Sequence, residues 1–159
     1  MARQNATSPR WLNAVEMKAW RRYIVASRRL IEALDLDLAE HELSMPDYEI
    51  LAQLSDAPGR RMRMAELAEE AMLSRSRLSH RMKVMEKAGW VSREQCTDDR
   101  RGYFAVMTEQ GWRAIVAAAP DHVESVRARF IDHLSKSDQA VLAQIFERVS
   151  EPLRNDLNE

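Results

Sequence analysis

The chain has 159 residues, a formal net charge of −1, 45% hydrophobic and 31% charged residues, and one cysteine. This length supports one compact domain with its own core, and the composition is ordinary for a helix-rich protein. No apolar run approaches the roughly 18 residues of a membrane span, the N-terminus has no signal-peptide core, and a single cysteine excludes an internal disulfide. We therefore expect a cytoplasmic protein with no membrane partner.

The charge is unevenly distributed along the chain. Between Arg60 and Phe104 there are 11 Lys and Arg residues against 7 Asp and Glu, whereas the remainder has 13 against 18. A basic segment within an otherwise acidic chain is typical of a protein that contacts nucleic-acid phosphates through one region.

The N-terminal part is predicted to be one long helix. Residues 1–10 are polar and are expected to be unstructured, with Ser8-Pro9 as a plausible helix start. Residues 11–44 then carry apolar side chains at spacings of three and four. A helix of about 30 residues is roughly 45 Å long, more than a small domain needs to cover its own core, so the surplus apolar surface predicts a partner chain.

Residues 45–108 are predicted to form a compact unit that begins with a capping box. Ser44 and Asp47 can cap a second helix reciprocally, with Pro46 in its first turn. Residues 57–59, Ala-Pro-Gly, break the chain, and residues 61–63 alternate in the manner of a short strand. A short helix over residues 65–71 follows.

The central helix is predicted over about residues 75–88. Ser74 is a good N-cap, and Leu78, Met82 and Met85 form one apolar stripe. The side chains expected to stand free of the core, and to read a DNA major groove, are Arg75, Ser76, Arg77, Ser79, His80, Arg81 and Lys83.

A two-stranded hairpin over about residues 90–107 is predicted next. Gly89 can end the central helix in a left-handed conformation, and residues 90–93 and 103–107 are rich in β-formers. At the tip, Arg100 and Arg101 could reach into the electronegative minor groove, with Asp99 holding the Arg101 guanidinium.

Residues 109–159 are predicted to form two long helices. Thr108 caps the first, which should kink near Pro120 without breaking, and Ser135 with Asp138 caps the second. Their apolar faces, with that of residues 11–44, are best buried by a two-fold partner, which would place two reading helices about one DNA turn apart. The alternative is a monomer whose terminal helices pack only on themselves.

Residues 62–108 resemble the winged helix-turn-helix of the MarR family of bacterial transcriptional regulators. The matching elements are Glu66-Leu67-Ala68, Leu73-Ser74, Gly89-Trp90-Val91 with Arg93, Asp99 with Arg101-Gly102, and Met107-Thr108. The sequence departs from the family pattern at Lys83-Val84, where many members have Asp-Arg, which affects the operator sequence rather than the fold. The resemblance implies a mainly α fold with a small β-wing (α+β), flanked by dimerisation helices.

The resemblance also implies a function. Members are homodimeric, nucleoid-associated regulators, commonly repressors of palindromic operators in double-stranded DNA. Many are released by a small aromatic or phenolic effector bound between the dimerisation helices and the winged domain. Here the aromatic walls of such a site would be Trp20, Tyr23, Tyr48 and Trp112, with Arg21 or Arg22 as an anion partner. No cofactor or catalytic residue is implied.

Four alternatives remain open from the sequence. Cys96 could sense oxidation, since arginines lie near it. His41, with Glu40, Glu42 and His122, could bind a metal, although no His-x-x-x-His pair or cysteine set supports this. The protein could also bind DNA without any effector. An enzyme is disfavoured, because the chain has no phosphate-binding glycine loop and no nucleophile motif.

Overall fold

A computed structural model of the chain describes residues 9–96 and 102–156. The described residues form six α-helices, two single-turn 3₁₀ helices and one small sheet, which confirms the predicted mainly α fold with a β-wing. The helices are α1 (Ala14–Ala39), α2 (Met45–Asp56), α3 (Met64–Glu70), α4 (Arg75–Lys87), α5 (Glu109–Arg129) and α6 (Lys136–Asp156). The strands are β1 (Arg61–Arg63), β2 (Val91–Gln95) and β3 (Tyr103–Met107).

Side-chain caps fix where the helices begin. The predicted capping box of Ser44 and Asp47 starts α2, Ser74 caps α4, and Thr108 caps α5. The predicted start of the first helix at Ser8-Pro9 and Trp11 is wrong. Asn13 and Glu16 form a reciprocal capping box that starts α1 at Ala14 instead, because it satisfies the free amides of the first turn.

The three strands pair antiparallel in the order β1-β3-β2. Residues 61–63 form the predicted third strand, with Met62 opposite Ala105, while Arg93 of β2 lies opposite the same alanine. Gly89, at φ +79°, ends α4 and turns the chain into this sheet. The short connection from α4 to β2, residues 88–90, therefore contains one residue in the left-handed conformation that favours glycine.

The core lies where the end of α1, α2, α3, α4, α5 and the sheet meet. From α4 the predicted stripe of Leu78, Met82 and Met85 enters it, each at most 1% exposed. α2 contributes Ile50, Leu51 and Leu54, all fully buried. The face of α4 opposite this stripe is consequently turned to solvent.

The long helices keep much of their apolar surface outside this core. α5 runs without interruption through Pro120, as predicted. On α1, α5 and α6 many large apolar side chains are exposed, among them Val15, Trp20, Val116, Val123, Val141, Val149 and Leu153. None of the helices in residues 9–96 and 102–156 carries a stretch that would span a lipid bilayer.

Candidate nucleic-acid interface

The outward face of α4 carries a row of polar and cationic side chains. Ser74 Oγ accepts from the Arg77 amide at 3.3 Å, which fixes the first turn. From that turn onward Arg75, Ser76, Arg77, His80 and Lys83 are exposed, and Ser79 is half-buried. One side of the helix thus anchors in the core while the other presents hydrogen-bond donors in the arrangement that base-edge contacts require.

Arg81 does not stand free of the core, and that prediction is wrong. Its guanidinium turns back toward the start of α2, where it forms an ion pair with Asp47 and donates to Ser44 Oγ at 2.6 Å. The hydrogen bond to Asp47 raises the pKa of Arg81 above its ordinary value. A buried carboxylate close to the edge of the α4 stripe attracts this side chain inward.

The wing holds α4 through Arg93, a residue that had no predicted role beyond matching the family pattern. Arg93 Nη2 donates to the backbone carbonyl of Ser79 at 3.1 Å and lies 3.3 Å from a carboxylate oxygen of Glu86. Both partners belong to α4. A β-strand arginine thereby ties the wing to the helix that it follows in the chain.

Three arginines line a cleft at the base of the wing. Arg63, Arg75 and Arg93 surround about 350 Å³ between the start of α3, the start of α4 and the sheet. Their convergence suits an anionic group such as a backbone phosphate. The alternation of residues 61–63 predicts a short strand with Arg63 on one of its faces. The sequence could therefore have identified Arg63 as a residue of this cleft.

The predicted wing tip lies outside the described residues, so the DNA contacts of Asp99, Arg100 and Arg101 stay predictions. The base of the wing is described. The Cys96 amide donates to the Gly102 carbonyl at 2.9 Å, which continues the β2–β3 pairing beyond Gln95 and Tyr103. The described ends of the hairpin, Cys96 and Gly102, are therefore joined by a backbone hydrogen bond.

The four aromatic residues predicted to form an effector site lie in three separate places. Trp20 contacts Tyr23, which in turn contacts Phe146 of α6 with ring centroids 5.6 Å apart. Tyr48 packs on His122, and burial raises the pKa of Tyr48 above its ordinary value. Trp112 lies under the guanidinium of Arg60. A role in effector binding stays a prediction for each of them.

A different cleft lies between α1 and the start of α2. Its volume is about 590 Å³, and its walls are Ser27, Arg28, Ile31, Glu32, Asp35, Met45, Pro46 and Glu49. Burial raises the pKa of Glu49 above its ordinary value. Three carboxyl groups and one guanidinium make this lining acidic, and none of the four predicted aromatic residues belongs to it.

The structure also describes the residues of the two alternative sensing sites, a metal site at His41 and His122 and a redox-active Cys96. His41 Nε2 lies 2.9 Å from Asp121 Oδ2, and His122 faces Tyr48. Across the described ranges no three His, Cys, Asp or Glu side chains form a group suited to a metal ion, so the alternative of a metal site at His41 and His122 is not supported. Cys96 is only 3% exposed, whereas redox-sensing cysteines are solvent-accessible.

These features define a winged helix-turn-helix protein: α3 and α4 form the helix-turn-helix, and the hairpin of β2 and β3 forms the wing. The chain belongs to the MarR family, whose model matches residues 43–103.

Known relatives agree with this assignment. AbsC, a MarR family transcriptional regulator from Streptomyces coelicolor, is 46% identical, with 92% of this chain and 99% of AbsC covered and a TM-score of 0.90. Sco3205, a MarR family regulator from the same organism solved in complex with DNA, is 42% identical, with 92% of each chain covered and a TM-score of 0.89. The transcriptional regulator HosA of Escherichia coli is 29% identical over 68% of this chain and 78% of its own length. The protein is thus a transcriptional regulator and not an enzyme.

Proposed function

We propose that this chain is a homodimeric, sequence-specific DNA-binding regulator, most simply a repressor, acting on a pseudo-palindromic operator. The observation that carries the proposal is the division of α4 into two faces. Leu78, Met82 and Met85 are buried, whereas Arg77, His80 and Lys83 on other sides of the same helix are exposed. Such a helix can enter the major groove without losing its hold on the core. Its place of action is the cytoplasm, at the nucleoid.

The similarity to Sco3205 supports DNA as the partner, because that protein was solved in complex with DNA at 42% identity. The arginine cleft at the wing base supports a phosphate contact on the same side of the molecule as the start of α4. In this proposal Arg75 contacts the phosphate backbone of the DNA, and Arg77 and His80 contact base edges. Ser76, Ser79 and Lys83 flank them, while Arg100 and Arg101 of the wing contact the minor groove and Asp99 holds the Arg101 guanidinium.

The direct test measures binding to the DNA that flanks the protein's own gene by fluorescence anisotropy, over salt from low to physiological. Nanomolar affinity for one segment, with log K falling steeply against log salt, is the expected result. Arg77→Ala and His80→Ala should each lower affinity for that segment by ~1–3 kcal/mol and relax its sequence preference, and Arg101→Ala should weaken binding to most sequences.

Arg148→Ala is the matched control, since it removes the same charge from an exposed position on α6. It should bind like the parent. Weak binding of the parent that is equal on all DNA would contradict sequence-specific regulation at this locus. Parent-like binding by both α4 variants would show that the reading surface lies elsewhere.

Release by a small effector is the second part of the proposal, and the cleft between α1 and α2 is what supports it. Because Glu32, Asp35 and Glu49 outnumber Arg28 there, the cleft should disfavour anionic aromatic acids. A thermal-shift comparison of benzoate, phenol and benzylamine tests this, since a ligand selective for the folded state raises its stability. We expect phenol or benzylamine to bind better than benzoate. No shift with any of the three would favour DNA binding without an effector of this class.

A further inference from the structure

Arg81 connects the helix that carries the candidate base contacts to the start of α2. Its Nε donates to Asp47 Oδ1, and Nη2 donates both to Asp47 Oδ2 and to Ser44 Oγ. The two planar groups therefore face one another with two parallel hydrogen bonds, the arrangement that fixes both distance and angle. Asp47 is 1% exposed, so nothing in solvent competes for it.

Asp47 also caps the N-terminus of α2. Its Oδ2 accepts from the Ser44 amide at 3.0 Å and from Ser44 Oγ at 2.6 Å, which completes the capping box of α2. One residue further along, the Met45 amide donates to Asp35 Oδ1 of α1 at 2.6 Å. Hydrogen bonds at the two adjacent residues Ser44 and Met45 therefore join the start of α2 to α4 on one side and to α1 on the other.

From this geometry we propose that Arg81 is a positioning residue, which sets the orientation of α4 relative to α1 and α2 and does not contact DNA. The proposal rests on α4 being the DNA-reading helix. A buried ion pair adds little net stability compared with apolar residues of the same size, but its directed hydrogen bonds select one arrangement of the helices. Arg93 holds α4 from the wing through Ser79 and Glu86, so Arg81 supplies the matching attachment on the side of α2.

The experiment compares the parent with Arg81→Lys and with the double variant Arg81→Met and Asp47→Asn. Lysine keeps the charge but cannot form the two parallel hydrogen bonds. The double variant removes both charges together and leaves no unpaired buried carboxylate, so it should fold. Asparagine also keeps an oxygen that can accept from the Ser44 amide, so the capping box of α2 is retained. For each protein we measure the affinity for the operator segment and for a scrambled duplex, each with its salt dependence. We also measure the thermal midpoint of unfolding. Arg77→Gln is the comparison, as an exposed DNA-contact candidate on the same helix.

A positioning role predicts that both Arg81 variants lose about tenfold or more in operator affinity while scrambled-DNA affinity and the salt slope are unchanged. Arg77→Gln should instead lower the salt slope or alter the preferred sequence. A salt slope reduced by about 1 in Arg81→Met with Asp47→Asn, with both affinities lowered, would make Arg81 a phosphate contact and overturn the proposal.

Two further outcomes would also overturn it. If the Arg81 variants only melt earlier and bind the operator normally while folded, the ion pair is structural and does not orient α4. If every property matches the parent, apolar packing alone sets the helix. These results are distinguishable from failure of the proposed function, because in that case the parent itself would show no preference for the operator segment.

Discussion

Gly111, in the first turn of α5, packs directly on the backbone carbonyl of Trp90, the residue that precedes β2. The same carbonyl accepts from the Thr108 amide at 3.0 Å, and Thr108 Oγ1 accepts from the Gly111 amide at 3.0 Å. A Cβ on Gly111 would overlap the Trp90 oxygen and would lie 3.2 Å from Met107 Cγ. The start of the wing and the start of α5 therefore meet backbone to backbone.

Replacing Gly111 by alanine should lower stability, although helix propensity alone would raise it. Alanine is favoured over glycine by about 1 kcal/mol inside a helix, whereas overpacking against a fixed backbone costs ~1–3 kcal/mol. Urea unfolding of the parent and of Gly111→Ala shows whether the substitution lowers or raises the free energy of unfolding. Ala117→Gly, at an exposed position of α5, is the control and should lose about 1 kcal/mol from propensity. A stabilised Gly111→Ala would show that α5 and the wing can separate at little cost.

Local signals in the sequence predicted most of the fold. Ser44, Ser74 and Thr108 were recognisable as caps because a serine or threonine oxygen before an apolar-periodic run satisfies free amides within three residues. Gly89 was recognisable because helices commonly end at a residue in the left-handed conformation, and glycine adopts that conformation most readily. These interactions span only a few residues, so sequence order alone specifies them.

The parts of the candidate site that could not be predicted depend on contacts between distant residues. Asp47 was correctly assigned to a capping box, but its ion pair with Arg81 joins positions 34 residues apart. Arg81 lies next to Met85 on the helix wheel, at the border of the buried stripe, where periodicity alone does not decide which way a long side chain turns. Similarly, periodicity placed Tyr23 on α1 but could not show that Phe146 of α6 would contact it.

His122 should make the protein less stable as the pH falls below neutrality. It packs on Tyr48 with ring centroids 4.2 Å apart, and its buried Nδ1 has no hydrogen-bond partner in the described chain. Burial lowers the pKa of His122 below its ordinary 6.5, opposed in part by Asp37. The unfolded chain therefore binds this proton at higher pH than the folded chain, so stability is complete above about pH 6.5 and decreases below it.

Thermal midpoints from pH 8 to pH 5 test this for the parent and for His122→Phe. The variant keeps an aromatic ring against Tyr48 and removes the unpaired nitrogen, so it should match or exceed the parent at pH 5.5. His80→Gln, which removes an exposed histidine from α4, should keep the pH dependence of the parent. An identical decrease in the parent and in His122→Phe would assign the titration to another group.

Asp37 should contribute stability that is lost in acid. Its carboxylate accepts from Ser125 Oγ at 2.5 Å and forms an ion pair with Arg129, so it fastens the end of α1 to α5. The hydrogen bond from Ser125 and then that from Arg129 lower the pKa of Asp37 below its ordinary 3.8. The ionised form is the one that stabilises the fold, so its contribution is complete well above pH 3.8 and is lost as the pH falls through the lowered pKa.

Asp37→Asn should consequently reduce the free energy of unfolding at pH 7 and should differ less from the parent near pH 3. Urea unfolding at both pH values measures this difference. Ser125→Ala removes the largest cause of the lowered pKa and should change stability in the same direction. Asp132→Asn, which loses only an exposed ion pair with Arg127, is the control. A constant difference between Asp37→Asn and the parent at both pH values would mean that ionisation of Asp37 does not stabilise the fold.

The exposed apolar side chains of α6 should form part of an interface between two copies of the chain. Val149 and Leu153 are 50% and 51% exposed and are four residues apart, on one face of the helix, and contiguous exposed apolar side chains mark interaction sites. Val149→Glu should therefore dissociate the dimer in sedimentation experiments and lower operator affinity by about 100-fold or more, because two half-sites would then be bound independently. Gln144→Glu introduces the same charge elsewhere on α6 and should remain dimeric. A parent that sediments as a monomer, or a Val149→Glu variant that remains a dimer, would contradict this interface.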